Sequence, residues 1–160
     1  MKVIIPLAGF GTRLRPHTYT KPKPLISVAG KAVLGHILDK LAGVEMEEII
    51  FILGYLGDQI RDYVAVHYDF PARYLEQADL KGQAHAISLA KEHVSGPVLI
   101  IFVDTIFDKS MGSINLAAVA GPNAFFNKGP PGFAIVRKGF GNILEIGSII
   151  GRESKSLAIG

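Results

Sequence analysis

Hydrophobic and polar positions along the chain follow two patterns, continuous apolar runs and apolar residues at helical spacing. Residues 3–7, 48–53 and 97–103 are apolar almost throughout, and the short segment Arg73-Tyr74-Leu75-Glu76 is a further candidate for a strand. Continuous apolar runs of about four to eight residues are typical of strands that are buried on both faces of a sheet. The pattern therefore predicts four strands at these positions.

Helices are predicted between these strands. Apolar residues recur at helical spacing over residues 33–42, 58–67 and 83–93. His36 lies beside the apolar stripe of the first helix, where a packing role is favoured over a catalytic one. Strands that alternate with helices form βαβ units and a mostly parallel sheet. We therefore expect a Rossmann-like α/β fold of three layers, with helices flanking the sheet.

Glycines and polar residues follow the carboxyl ends of all four predicted strands. They are residues 9–13 after the first strand, Gly54 after the second, Gln77 after the third and Asp104 after the fourth. In open α/β sheets, ligands bind outside the carboxyl ends of the strands. The four positions therefore predict a single binding site at this edge of the sheet.

The loop after the first strand has the composition of a phosphate site. Gly9 and Gly11 allow a tight turn that brings backbone N–H groups close to a ligand. Arg13 and Lys23 add two cations, which together with the amides suit a polyphosphate. Leu14 stands where a dinucleotide-binding G-x-G-x-x-G would have its third glycine, and the P-loop pattern is absent. The alternative interpretation is an ordinary glycine turn with solvated basic residues.

Composition excludes several classes of protein. The chain has 160 residues, of which 49% are hydrophobic, and it has no cysteine, so it forms neither a disulfide nor a cysteine-based metal site. Its net charge of +3 would suit nucleic acid, but residues 1–108 carry a net charge of −1 and residues 109–160 carry +4. No apolar run approaches the length of a membrane span. We therefore expect a cytoplasmic protein that binds neither nucleic acid nor membranes.

The chain changes character after residue 108. Residues 109–160 hold nine of the 18 glycines and form a tail of uncertain structure, in which residues 134–136 and 146–150 are candidates for short strands. The organised domain is therefore expected to cover residues 1–108. A sheet that ends at its fourth strand would expose an apolar edge, which favours association into a homo-oligomer.

The glycine loop belongs to a longer string of residues. The pattern G-x-G-T-R-L-x-P-x-T begins at Gly9, and P-K-P follows at residues 22–24, then Val28 and Gly30-Lys31. This string resembles the signature of the sugar-phosphate nucleotidyltransferases, over residues 1–108. Residues 82–86 and 103–107 are similar to the glucose-1-phosphate thymidylyltransferase branch. Such enzymes couple a nucleoside triphosphate to a sugar 1-phosphate, release pyrophosphate and have a nucleotide-diphospho-sugar transferase fold.

The resemblance implies roles at the phosphate end of the site. Arg13 would stabilise the leaving pyrophosphate, and Lys23 would bridge the α-phosphate and the incoming sugar phosphate. The remaining implied substrate-binding positions in this region are Leu7, Ala8, Gly9, Gly11 and Thr12. The alternative for each cation is a solvated surface charge, and Arg15 and Lys21 have no counterpart in the motif.

The resemblance also implies a base-reading segment and a metal ligand. Gln77 offers a donor and an acceptor that suit the O4/N3–H edge of uracil or thymine, and Gly82 would let the backbone approach the base. Asp104 would coordinate Mg²⁺. The alternatives are a surface glutamine in a turn and an aspartate that caps the next element. For His85, lining a helix and contacting substrate both remain open.

The second half of the family pattern is absent after residue 108. Neither the Glu-Lys-Pro segment of the sugar pocket nor a second metal-binding aspartate is found, so the fold is expected in truncated form. A shortened gene or a frame change near Lys109 would explain this. Two functions therefore stay open. One is transfer of a nucleotidyl group from dTTP or UTP to glucose 1-phosphate, and the other is a regulatory or degenerate nucleotide-binding fragment with little or no turnover.

Overall fold

The computed structural model describes residues 1–79, 81–95 and 98–103, together with the backbone of residues 133–136. Asp104 and the strand expected at residues 146–150 lie outside the described residues. The fold below is therefore the fold of the first domain and of one short strand from the tail.

Five strands of the described chain form one sheet in the order β5-β4-β1-β6-β7. Four of them are mutually parallel, with Val3 of β1 opposite Ile49 of β4 on one side and Leu99 of β6 on the other. The prediction of a mostly parallel sheet is confirmed. The strands of this sheet are β1 Lys2–Pro6, β4 Ile49–Leu53, β5 Ala72–Glu76, β6 Val98–Ile101 and β7 Phe133–Val136, and a separate hairpin holds β2 Ser27–Val28 and β3 Lys31–Ala32.

The fourth predicted strand, β6, is not a sheet edge. β7 pairs with it in antiparallel register, from Val98 opposite Val136 to Ile101 opposite Phe133. The expectation of an apolar edge left open after the fourth strand is therefore wrong, because the tail supplies backbone partners for that edge. The strand expected at residues 134–136 is confirmed and begins one residue earlier.

Three α-helices connect the parallel strands, and two of them end earlier than the apolar spacing predicted. They are α1 Val33–Lys40, α2 Gly57–His67 and α3 Gln83–Leu89. After Lys40 and after Leu89 the backbone changes to i→i−3 hydrogen bonds, and α3 is followed by a 3₁₀ turn at Lys91–His93. In the described part of the chain, no helix is long and apolar enough to cross a membrane.

The core consists of two layers of side chains, one on each face of the sheet. Val3 and Ile5 of β1 point to the face covered by α1 and α2, where they pack with residues such as Phe51. Ile4 and Ile50 point to the other face, where they pack with Ala86 and Ile87 of α3 and with Ala90, which directly follows that helix. All of β4 is buried. The expected three-layer α/β architecture is confirmed, and it brings the carboxyl ends of the parallel strands to one edge.

Candidate functional site

A cavity of about 630 Å³ lies at the carboxyl ends of β1, β5 and β6. The loop after β1, the segment between β5 and α3, and the two residues after β6 form its walls. Nine of the ten predicted site residues line it; these are Leu7, Ala8, Gly9, Gly11, Thr12, Arg13, Lys23, Gln77 and Gly82. The structure thus brings these residues together, while their individual roles stay predictions.

The backbone of the glycine loop is fixed at Gly11. This residue has a φ of +63°, and a Cβ atom there would lie 3.0 Å from both Lys23 Cβ and Thr18 Cγ2. Its carbonyl oxygen accepts hydrogen bonds from the Leu14 amide and from Thr18 Oγ1, each at 2.9 Å. Thr18 is buried, so this contact is shielded from water. Gly11 is therefore required by its conformation and by its neighbours.

The same loop presents unused hydrogen-bond donors. Within the residues that the structure describes, the backbone N–H groups from Gly9 to Arg13 find no acceptor. The first N–H groups that do are those of Leu14 and Arg15, which close the short 3₁₀ helix Thr12–Leu14. Unpaired donors in a loop that lines the cavity are available to bind an oxyanion.

Two cations face the cavity without a countercharge. Arg13 is exposed and Lys23 is half-buried, and neither forms an ion pair or hydrogen bond within residues 1–79, 81–95 and 98–103. The described residues that line the cavity include no carboxylate. By contrast, neither Arg15 nor Lys21 lines the cavity, and Arg15 stacks over the Tyr19 ring at 5.3 Å. The cavity is therefore electropositive where the loop borders it.

Residues that follow β4 hold the far end of this loop in place, and the sequence patterns did not single out their side chains. Tyr55 Oη donates to the Tyr19 carbonyl over 2.7 Å, and Gln59 Nε2 donates to the Thr20 carbonyl over 2.9 Å. Gly54 packs against the start of the loop, since a Cβ there would lie 2.6 Å from the Ala8 carbonyl oxygen. The position of Gly54 after a strand was a signal for the site, whereas Tyr55 and Gln59 bind backbone atoms and leave no pattern.

The opposite wall is built by the segment between β5 and α3. Gln77 is buried, and its Nε2 donates to the Gly82 carbonyl over 3.1 Å and lies 2.9 Å from His85 Nδ1. Gly82 has a φ of +88°, which side-chain-bearing residues rarely adopt. The alternative of a surface glutamine in a turn is not what the structure shows. His85 is half-buried and contacts the glutamine from the first turn of α3.

The predicted metal ligand, Asp104, lies outside the described residues. Phe102 and Val103, which precede it, both line the cavity. In the described ranges, no group of three or more histidine, aspartate or glutamate side chains is placed to hold a metal ion. The Mg²⁺ site therefore stays a prediction.

The sequence profile described as nucleotidyl transferase matches residues 2–120. The chain belongs to the nucleotidyl transferase family. This family match confirms the resemblance to nucleotidyltransferases that the sequence of the glycine loop indicated. It also agrees with the geometry, because the match covers every residue of the cavity wall described above.

Individual members of this family show how much of the protein is comparable. The UTP–glucose-1-phosphate uridylyltransferase AglF of Haloferax volcanii is 33% identical over 119 residues, which are 71% of this chain and 47% of AglF. The bifunctional protein GlmU of Methanococcus maripaludis is 35% identical over 144 residues, which are 89% of this chain and 34% of GlmU. The chain thus spans about half or less of the length of these relatives.

Solved structures of nucleotidyl transferases show the same fold. The CTP:phosphocholine cytidylyltransferase LicC of Streptococcus pneumoniae has 32% sequence identity and a TM-score of 0.57, over 69% of this chain and 47% of LicC. A Bacillus anthracis protein assigned as a glucose-1-phosphate thymidylyltransferase has 26% sequence identity and a TM-score of 0.64, over 70% of this chain and 47% of the Bacillus anthracis chain. The names of these relatives refer to different nucleotides, so sequence and fold similarity alone do not identify the nucleotide that this chain binds.

Proposed function

We propose that the cavity is the nucleoside triphosphate site of a sugar-1-phosphate nucleotidyltransferase. The observation that carries this proposal is the juxtaposition of Arg13, Lys23 and the unused amides of the glycine loop around one electropositive cavity. A triphosphate has negative oxygens along its whole length and matches this row of donors. The Gln77–Gly82 wall lies opposite, where the base of the nucleotide binds.

The reaction requires positioning and neutralisation of charge. An oxygen of the sugar phosphate attacks the α-phosphorus, and the bond from that phosphorus to the bridging oxygen of pyrophosphate breaks in line with the attack. Negative charge develops on the leaving pyrophosphate, where Arg13 stabilises it. Lys23 lies between the α-phosphate and the incoming phosphate and reduces the repulsion between them.

The proposed donor is UTP or dTTP and the proposed acceptor is glucose 1-phosphate. AglF, the relative that is 33% identical, is named for UTP and glucose 1-phosphate, which supports this pair of substrates. A uracil or thymine base presents an N–H group between two carbonyl groups, and the polar amide of Gln77 is suited to that edge.

Mg²⁺ is the proposed metal, with Asp104 as its ligand. The described residues of the cavity wall contain no carboxylate, so on their own they do not fit this ion, which prefers carboxylates and phosphate oxygens. Asp104 follows directly on Phe102 and Val103 of the wall. Bound there with the substrate, Mg²⁺ would supply further neutralisation of phosphate charge.

Removal of either cation tests the proposal. We expect Arg13→Ala and Lys23→Ala each to weaken binding of UTP or dTTP by about tenfold to a hundredfold, as for a lost charge-assisted hydrogen bond. Lys21→Ala is the matched control, because it removes the same charge two residues from Lys23 and outside the cavity wall. Binding is measured by calorimetric titration with Mg²⁺. Equal affinities in all four proteins would contradict the phosphate site.

A second candidate function is nucleotide binding without efficient transfer. It is favoured by the sequence of residues 109–160, in which the Glu-Lys-Pro segment that the resemblance implies for the sugar pocket is not found. The two candidates are separated by incubating the chain with UTP or dTTP, glucose 1-phosphate and Mg²⁺ while pyrophosphate release is followed. Turnover of the order of 1–10³ per second supports the enzyme, and binding without pyrophosphate supports the second candidate.

A further inference from the structure

Gln77, Gly82 and His85 contact one another in the wall opposite the glycine loop, and these contacts determine which of their atoms carry hydrogens. The Nε2 atom of Gln77 is 3.1 Å from the carbonyl oxygen of Gly82 and 2.9 Å from Nδ1 of His85. A carbonyl oxygen only accepts hydrogen bonds, so the glutamine atom beside Gly82 must be the NH₂ nitrogen and not the amide oxygen. The orientation of the amide therefore follows from its neighbour.

The protonation of His85 follows in turn. The NH₂ group has two hydrogens, and one of them points to Gly82. The other is shared with Nδ1 of His85, which must then be the acceptor. A neutral imidazole that accepts at Nδ1 carries its proton on Nε2. Gly82 and His85 together thus use both donors of Gln77.

One polar atom of the amide remains available. Oε1 of Gln77 has no partner among the described residues, yet no buried side-chain oxygen or nitrogen of that part of the chain lacks a hydrogen-bond partner. Only 4% of Gln77 is exposed, yet the residue lines the cavity, and Oε1 is the one polar atom of its amide that is left to face a ligand there. The wall offers an acceptor oxygen to whatever binds beside it.

We infer that His85 is a positioning residue for base selection, because its Nδ1 holds the Gln77 amide with Oε1 toward the ligand. This inference rests on the proposed function of the cavity as a nucleotide site. The sequence alone predicted that Gln77 offers the base both a donor and an acceptor, and the structure reduces these two groups to one. With both hydrogens already bonded, Gln77 contributes an acceptor only.

An acceptor at this point favours some bases over others. Uracil and thymine carry a hydrogen on N3, which can be donated to Oε1. Cytosine has a lone pair on N3, which meets the oxygen without a hydrogen between them and leaves both groups unpaired. Leaving a buried polar group unpaired is the main source of discrimination between close analogues. The geometry therefore favours uracil and thymine over cytosine.

Two variants of His85 separate positioning from packing. His85→Phe keeps the ring but removes the acceptor, so the amide of Gln77 gains a free hydrogen and can turn it toward the ligand. His85→Asn keeps an acceptor oxygen on the Cγ atom, where Nδ1 is attached. Ser88→Ala is the control in the same helix, since Ser88 Oγ donates only to the His85 carbonyl over 2.7 Å.

The readout is the ratio of affinities for UTP and CTP, measured by titration of the full chain with Mg²⁺. We expect the wild type, His85→Asn and Ser88→Ala to prefer UTP. In His85→Phe the ratio should fall about fivefold or more, as for one lost hydrogen bond. An unchanged ratio in His85→Phe would overturn the inference and leave the proposed function intact. A wild type that binds no nucleoside triphosphate would overturn both.

A second measurement needs no ligand and no variant. Long-range ¹H–¹⁵N spectra of the wild type report which imidazole nitrogen of His85 carries the proton. We expect the Nε2–H form, with an unprotonated Nδ1. A proton on Nδ1 would show that His85 does not accept from Gln77 and would overturn the inference.

Discussion

Gly9 and Gly11 lie two residues apart in the same loop and have different structural requirements. A Cβ on Gly9 would meet nothing within 4 Å, and the residue is not in the left-handed region. Gly11 has a φ of +63° and is enclosed by Lys23 and Thr18. The pair therefore offers one substitution that changes the loop and one that does not.

We predict that Gly11→Ala lowers the free energy of unfolding by about 1–2 kcal/mol, the cost of the left-handed conformation, and also weakens triphosphate binding. Binding falls because relief of the contact with Lys23 Cβ moves a cation of the site. The measurements are chemical denaturation and nucleotide titration. Gly9→Ala is the control and should change stability little. If Gly11→Ala binds nucleotide as tightly as the wild type, the loop does not depend on this conformation.

At the scale of single residues, the sequence identified groups whose chemistry is unusual in itself. Paired glycines, Arg13 and Lys23 stood out because no packing role explains them. Tyr55 and Gln59 could not be found this way, since they hold backbone carbonyls that any sequence supplies. The partnership of Gln77 with His85 was also hidden, because it depends on how the loop before α3 folds.

At the scale of elements, Glu48 joins three strands at the edge opposite the cavity. It precedes β4, and its carboxylate binds Lys2 Nζ of β1 at 2.5 Å and Arg73 Nε of β5 at 2.9 Å. Its side chain is 13% exposed, so water screens these contacts only in part. The pKa of Glu48 lies below its ordinary value of 4.5, chiefly because Lys2 donates a hydrogen bond to the carboxylate and to a smaller extent because Arg73 does.

We predict that Glu48→Gln lowers the free energy of unfolding at pH 7 by about 1–3 kcal/mol. Because folding lowers the pKa of Glu48, its contribution is present above the ordinary pKa and is lost as pH falls through the folded one. The difference between wild type and variant should therefore shrink below about pH 4, measured by denaturation at several pH values.

Glu47→Gln is the matched control for this prediction. The Glu47 side chain is 65% exposed and binds the N-terminal ammonium at 3.2 Å, so its removal should cost little at any pH. Equal effects of the two variants, or a Glu48→Gln effect independent of pH, would contradict a structural role for the three-strand contact.

Element boundaries show where local patterns lose information. The four predicted strands of the parallel sheet and α2 begin and end within about two residues of their predicted limits, because continuous burial and helical spacing are properties of nearby sequence. α3 ends at Leu89, four residues before the predicted limit of 93. The 3₁₀ turn that follows has nearly the same side-chain spacing over three residues, so the apolar pattern does not distinguish it from a helix.

At the scale of the whole molecule, the four parallel strands and their common site could be predicted, since each βαβ unit lies within a continuous stretch and has one favoured handedness. β7 could not be placed in the same way. It is separated from β6 by 31 residues, and the side of the sheet on which it pairs is decided by contacts remote in sequence. The short apolar run at residues 134–136 predicted a strand but not its partner.

The place of β7 in the sheet leads to a prediction for hydrogen exchange. Successive amides of a strand point to opposite neighbours, so a strand between two partners has all of its amides bonded, whereas an edge strand has every second one bonded. β6 lies between β1 and β7, and within the described residues β5 has β4 as its one neighbour. We therefore expect consecutive amides of Val98–Ile101 to exchange slowly in the full chain, and alternate amides of Ala72–Glu76 to exchange fast. The measurement is amide exchange followed by NMR, with β5 as the internal reference for an edge. Alternate fast exchange in β6, matching that of β5, would show that β7 does not pair with it in solution.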